Sequence, residues 1–334
     1  MVSLKHILLI ATGGTIACED AGAGLTPCLS SSELMALVPE LNSVCTADAV
    51  QLMNLDSTNI SSSHWLKMAA CIQEHYDQYD GFVLTHGTDT MAYTAAALSY
   101  LIQNSRKPIV ITGAQQSISK RDTDARENLF DAFLYAADDQ ACGVHIVFDH
   151  KVILGTRARK MRTKSYNAFE SVDWPETAII RNGKLIYYLP GSVKGEVVFF
   201  HAMDCGVFVW KLVPGSDAAV FQALKPLCRA LVLEGFGVGG LPQYGGQAFY
   251  DAVKDWIDSG RVIIMTTQVP FEGSDMEVYQ VGQKAKRELG LIEAYGMTTE
   301  AVVTKLQWIL GLTEDGEQIR KLFQTPIEHD RIFE

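Results

Sequence analysis

The chain has 334 residues, 48% of them hydrophobic and 20% charged, which is the composition of a globular protein with room for two domains and a substantial core. Twenty-eight Lys and Arg against thirty-nine Asp and Glu give a net charge of −11, and without a basic stripe this argues against a nucleic-acid partner. No apolar run approaches the length of a membrane helix, and no export cleavage pattern follows the short apolar run 7–11, so the chain is expected in the cytoplasm with no membrane partner.

The elements then follow in chain order. Ile7 to Ala11 is a short apolar run that predicts a strand buried on both faces. It stops at Thr12-Gly13-Gly14-Thr15, where two glycines allow a sharp turn that presents the Thr15 hydroxyl at the strand's carboxyl end. Glu19 to Pro27 is rich in small residues and reads either as a lid over a site or as a plain surface loop. Ser30-x-x-Glu33 predicts a capping box and a helix through Val38. A strand over Ala49 to Leu55 leads into the polar turn Asp56-Ser57-Thr58-Asn59, which is either part of a site or the entry to the amphipathic helix His64 to Tyr79.

Gly81 to Leu84 repeats the first pattern. The strand runs into Thr85-His86-Gly87-Thr88-Asp89-Thr90, and a helix is predicted over Met91 to Gln103. Thr88 and Asp89 therefore sit at a strand-to-helix turn, where helix-start amides favour negative charge. His86 is either a base or a structural hydrogen-bonder of that turn. Further strands are predicted at Pro108 to Thr112 and Val144 to Phe148, with a helix over Asn128 to Ala137 between them. This alternation predicts a mostly parallel sheet with helices on both faces and the loops after Ala11, Leu55, Leu84 and Thr112 along one rim.

Val152 starts a different segment, with the cationic cluster Arg157, Arg159, Lys160, Arg162 and Lys164. It is either a solvated basic loop or the source of one lysine for the hydroxyl-lined site. The organisation expected is an N-terminal catalytic α/β domain over 1–190, an irregular connection over 191–206, and a smaller C-terminal α/β domain over 207–334. In the last, strands are predicted at Val207 to Leu212, Ala230 to Leu233 and Val262 to Thr266. Helices are predicted at Ala218 to Leu224, Gly246 to Ser259, Thr299 to Leu310 and Asp315 to Phe323. The seven cysteines (Cys18, Cys28, Cys45, Cys71, Cys142, Cys205, Cys228) are odd in number and scattered, as expected of thiols in a reducing compartment. The histidines show no metal-ligand spacing.

Threonine is a weak nucleophile unless a base takes its proton, and a lysine serves as that base only when neutral, which needs a desolvated or cationic setting. A hydroxyl, an amine and a carboxylate make a relay of the triad type, and glycine-flanked turns supply oxyanion donors; together they suit acyl transfer, above all amide hydrolysis. G-G-T after a strand lacks the remaining glycines of a dinucleotide turn, and there is no P-loop pattern.

The two stretches A-T-G-G-T-I-A at 11–17 and T-H-G-T-D-T-M at 85–91 closely resemble the signatures of the bacterial-type L-asparaginase family. The resemblance continues through 54–58, 111–114, 155–160, 236–239 and Thr267-Gln268, nearly the whole chain, and is closest to the cytoplasmic, type I branch. It implies a two-domain α/β asparaginase-like fold that hydrolyses L-asparagine to L-aspartate and ammonia. Thr15 would attack the side-chain amide, and Thr88, Asp89 and Lys160 would move protons. Asp56, Ser57, Thr58, Gly87, Thr88, Asp89 and Ala114 would line the substrate site. Within it, Ser57 and the Gly87 backbone would hold the α-carboxylate, Asp89 the α-ammonium, and the Thr88 amide the oxyanion. No metal or organic cofactor is implied, and a homodimer or homotetramer is.

Two positions depart from the family pattern. Leu25 stands where a lid tyrosine is usual, which leaves Lys160 or a water as base for Thr15; Glu234 and Val269 stand where some members carry an effector-site arginine and cysteine. Two rival functions remain. One is a related amidase, preferring glutamine or serving a tRNA-dependent amidotransferase, whose extra N-terminal domain is not expected before a first strand at residue 7. The other is an amino-acid sensor without turnover, which would need no nucleophile.

Overall fold

In a computed structural model of the chain, residues 4–20, 25–27, 29–242 and 246–332 are described. The first strand, β1 (His6–Gly13), is buried along nearly its whole length. Such a strand needs neighbours on both edges and layers on both faces. It pairs in parallel with β2 (Thr46–Leu55) on one side and β3 (Gly81–Thr85) on the other. Next to β3 lie β4 (Pro108–Thr112) and β5 (Gly143–Phe148), also parallel. The carboxyl ends of β2, β1, β3 and β4 therefore share one rim, with the Thr15 turn between the turns that follow Leu55 and Thr85.

The helices that return the chain between these strands follow the expected patterns. Helix α1 (Ser31–Ala36) starts with the Ser30–Glu33 capping box. Helix α2 (Ser62–His75) buries Trp65, Met68, Ala69, Cys71 and Ile72 on one face. Helix α3 (Met91–Leu101) is buried almost all round, which is why its sequence shows no polar stripe. It ends two residues before the predicted boundary because Ile102–Gln103 pair with Val198–Phe199 as short antiparallel strands. Helix α4 (Ala125–Ala136) places Leu129, Ala132 and Phe133 in a cluster with Ile7, Leu9, Val83 and Val110 from the sheet.

The segment after β5 departs from expectation. Instead of starting a separate region, β6 (Lys151–Leu154) folds back antiparallel on β5 through Asp149 and His150, both at positive φ. A two-residue hairpin turn of this hand is usually written Asn-Gly or Asp-Gly, so Asp-His carries no signal. The basic segment is part strand and part loop: β7 (Ala158–Lys160) pairs with β8 (Phe169–Ser171), while Arg162 and Lys164 lie on the exposed connection between them. β9 (Ala178–Arg181) and β10 (Lys184–Tyr187) extend the sheet to eight strands in the order β10-β9-β6-β5-β4-β3-β1-β2. Their turn is Asn182-Gly183, a hairpin signal of the usual kind that the expected organisation does not include.

The segment expected as a lid or a surface loop, Glu19 to Pro27, contributes to a short strand pair. Cys18–Asp20 pairs antiparallel with Leu25–Pro27, while residues 21–24 and the Leu25 side chain lie outside the described residues.

The chain divides into two units, 1–201 and 202–334. The second has a parallel sheet of β11 (Val207–Lys211), β12 (Ala230–Gly235), β13 (Val262–Thr267) and β14 (Ile292–Glu293). Around it are α5 (Val220–Leu224), α6 (Ala248–Asp258), α7 (Gln280–Leu289), α8 (Thr299–Leu312) and α9 (Gly316–Gln324). Helix α7 and strand β14 are not among the predicted elements. The helix is mostly polar and buries little besides Ala285 and Leu289 among its described side chains, and the strand is two residues long. Both are held by tertiary packing rather than by a local pattern.

Candidate active site

Three turns meet at the rim of the first sheet with their backbones in contact. Gly14 has φ +88°, and a Cβ there would lie 2.4 Å from Gly87 N and 2.7 Å from Gly87 Cα. A Cβ on Gly87 would in turn lie 2.7 Å from Ser57 Cβ and Oγ. Only glycine permits both approaches, and they set the turns that carry Thr15 and Thr88 side by side, framing a candidate cleft beside Ser57. Gly14 N also donates to Leu55 O at 3.2 Å, and Ile118 N to Ile16 O at 3.3 Å, tying the Thr15 turn to its neighbours on both sides.

Lys160 reaches this cleft from β7. Its Nζ lies 2.7 Å from Thr88 Oγ1 and 2.7 Å from Asp89 Oδ1. The lysine side chain is 15% exposed and the Asp89 carboxylate 60%, so one carboxylate oxygen holds the amine while the other is within reach of a ligand. Two arginines of the same cluster have partners elsewhere: Arg157 is fully buried beside Trp174, and Arg162 pairs with Glu170 at 2.6 Å.

The Thr88 turn is fixed from beneath by a buried chain of donors. Trp65 Nε1 donates to Thr94 Oγ1 at 2.9 Å. Gly87 O only accepts, so the one hydrogen of the neutral His86 ring sits on Nδ1, and the bare Nε2 accepts from the Thr94 hydroxyl 2.8 Å away. His86 Nδ1 donates to Gly87 O at 2.7 Å. Burial pushes the His86 pKa down to about 4, so the ring is neutral at pH 7. Because a trans peptide points its N–H opposite its C=O, holding the Gly87 carbonyl toward His86 turns the Thr88 N–H away from it. His86 is therefore the structural member of this turn rather than a base.

The remaining sequence candidates differ in availability. Ser57 is buried at the cleft, and its carbonyl accepts from Thr90 Oγ1 at 2.7 Å. Asp56 accepts from Thr58 N at 2.8 Å and Thr58 Oγ1 at 2.9 Å, so these two build the turn with each other. Ala114 is buried at the end of β4.

The residue after Ala114 is a site member that sequence patterns do not flag. Gln115 Oε1 accepts from Thr88 Oγ1 at 3.2 Å, and its Nε2 donates to Ser165 O at 3.1 Å. The Gln115 and Gln116 amides are held by the buried Asp124 at 2.9 and 3.0 Å. Gln115 shares the rim position that singles out Ala114, but glutamine carries no motif of its own. Among the described residues no cluster of His, Cys, Asp and Glu could hold a metal ion, and no helix is long and apolar enough to cross a membrane.

Comparison with known proteins gives this cleft a context. Residues 6–191 match the family model of the asparaginase N-terminal domain, and residues 206–323 that of the glutaminase/asparaginase C-terminal domain. The chain is 36% identical over 323 residues to an L-asparaginase of Thermococcus kodakarensis, covering 96% of this chain and 97% of the relative. It is 33% identical to L-asparaginase 1 of Escherichia coli K12, covering 95% of each. It is also 33% identical to a glutamyl-tRNA(Gln) amidotransferase subunit of Methanopyrus kandleri, covering 97% of this chain and 74% of that protein. The solved structure of the thermostable T. kodakarensis L-asparaginase superposes with a TM-score of 0.93 at 35% identity, over 98% of this chain and all of that one. L-asparaginase I of Vibrio cholerae superposes with a TM-score of 0.90 at 27% identity, over 99% of this chain and 100% of that one. Fold, sequence and family models agree, and the chain belongs to the asparaginase family, with its two-domain α/β architecture.

Proposed function

We propose that the protein is an L-asparaginase, an amidohydrolase that converts L-asparagine to L-aspartate and ammonia. The observation that carries this reading is the 2.7 Å contact of Lys160 Nζ with both Thr88 Oγ1 and Asp89 Oδ1, beside the turn that bears Thr15. In the mechanism proposed, Thr15 Oγ1 attacks the side-chain amide carbon as its proton passes to Lys160 or a water. The oxyanion is taken up by the Thr88 N–H, which the His86–Gly87 bond turns to a fixed direction. The C–N bond breaks, and the proton taken from Thr15 passes to the departing ammonia by way of Lys160, which Thr88 and Asp89 hold in place. Water then cleaves the ester on Thr15, freeing aspartate and the threonine hydroxyl.

Ser57 and the Gly87 backbone hold the substrate's α-carboxylate, and the exposed oxygen of Asp89 holds its α-ammonium. Asp56 and Thr58 contribute by shaping the Ser57 turn. A homodimer or homotetramer in the cytoplasm completes the proposal. Among the described residues, the free thiols Cys45, Cys71, Cys205 and Cys228 support a reducing compartment.

The test is ammonia release from asparagine and from glutamine by the purified chain, beside Thr15→Ala and Thr88→Ala. Asparagine turnover lost in both variants is the expected result. A clear preference for glutamine would favour an amidase akin to the amidotransferase relative, and tight binding without turnover would favour a sensor.

A further inference from the structure

The hydrogen bonds around Thr88 run in one direction, and that direction has a consequence for which side chain the cleft accepts. Gln115 Nε2 faces two backbone carbonyls, Ser165 O at 3.1 Å and Arg162 O at 3.5 Å. Carbonyls cannot donate, so the amide nitrogen must lie on their side, and Oε1, an acceptor only, must face Thr88. Asp89 is likewise an acceptor, so Lys160 Nζ donates to it, and its next hydrogen goes to Thr88 Oγ1 at 2.7 Å. The Thr88 hydroxyl has one hydrogen and two lone pairs. With a lone pair engaged by Lys160, its hydrogen goes to Gln115 Oε1 at 3.2 Å. What Thr88 presents to the cleft is then a lone pair and no hydrogen.

We infer that Gln115 is a positioning residue that fixes Thr88 as a hydrogen-bond acceptor toward the cleft, so that the site favours a carboxamide, which donates, over a carboxylate, which cannot. The inference rests on the cleft holding a side-chain amide, as proposed above. It sets the substrate apart from its own product. The amide NH2 of asparagine, or an attacking water, finds an acceptor at Thr88. The side-chain carboxylate of aspartate meets lone pair against lone pair and is released.

The experiment is steady-state asparagine hydrolysis with L-aspartate as competitor, comparing the parent with Gln115→Met. Methionine fills similar volume but offers Thr88 no comparable acceptor, so the hydroxyl hydrogen is free to turn into the cleft. The ratio of Ki for aspartate to KM for asparagine is expected to fall about tenfold, the size of one exchanged hydrogen bond. Aspartate should bind more tightly while asparagine does not. Gln115→Glu keeps an acceptor facing Thr88 and should hold the parent's ratio or exceed it.

A general loosening of the site would raise both constants together. That outcome, or a ratio unchanged in Gln115→Met, overturns the inference, as does tighter aspartate binding in Gln115→Glu. If the parent releases no ammonia from asparagine, the functional reading fails on its own. The same ordering is then read from calorimetric Kd values for asparagine and aspartate on parent and Gln115→Met, with the same ratio deciding.

Discussion

The contact between Gly14 and Gly87 holds the Thr15 and Thr88 turns together, and Gly14→Ala tests it. The substitution forces an L side chain to φ +88° and sets its Cβ 2.4 Å from Gly87 N and 2.7 Å from Gly87 Cα. The backbone conformation alone costs about 1–2 kcal/mol. The obstacle is backbone rather than the end of a flexible side chain, so relief requires the two turns to part, adding about 1–3 kcal/mol as in other overpacked sites. Together these give about 2–5 kcal/mol, which in a unit of this size lowers Tm by roughly 5–15 °C.

Parting the turns by about 1 Å also separates Thr15 from the Thr88–Lys160–Asp89 group, and a misplacement of that size costs on the order of a hundredfold in rate. Gly183→Ala is the control. Gly183 has φ +67° with nothing within 4 Å of a built Cβ, so only the roughly 1 kcal/mol of backbone strain applies and activity is retained. Thermal melts by circular dichroism and kcat for ammonia release measure both. A Gly14→Ala protein that melts within a degree of Gly183→Ala and turns over at the parent's rate would refute the idea that these turns touch.

Lys160→Met should lower kcat by about 10²- to 10⁴-fold. Its partner Asp89 is 60% exposed, so the melting temperature should change little; a large drop in stability with kcat preserved would make the lysine structural instead. Stability should also fall in mild acid. Burial holds both His86 and His145 at a pKa of about 4, below the ordinary 6.5, so the unfolded chain binds these protons first. The contribution is present above pH 6.5 and is lost as pH falls toward 4, up to roughly 3 kcal/mol for each ring. Urea unfolding at pH 7 and 5 reads this, His145→Gln should reduce the slope, and a slope indifferent to that change would count against it. Among thiols, Cys205 is exposed, while burial pushes the Cys45 and Cys71 pKa values up to about 11. An alkylating reagent at pH 8 followed by mass spectrometry should modify Cys205 well before either of the others.

The sequence alone carried most of the architecture that positions the site. Short apolar runs ending in Gly-Gly-Thr and Gly-Thr-Asp mark strands buried on both faces with their chemistry at one rim, because a doubly buried strand has no polar stripe and its exit must be polar. The helices with one buried face, such as Ser62–His75, were legible for the same reason. Long signature stretches then pointed to the family.

Tertiary structure alone decided the rest. That Gly14 rests on Gly87 and that Gln115 governs the Thr88 proton are relations between residues up to 73 positions apart in the chain, from Gly14 to Gly87. The antiparallel return at Asp149–His150 and the mostly polar helix Gln280–Leu289 were hidden for a related reason. Their stability comes from neighbours supplied by other segments, and a local pattern records only what a segment owes to itself.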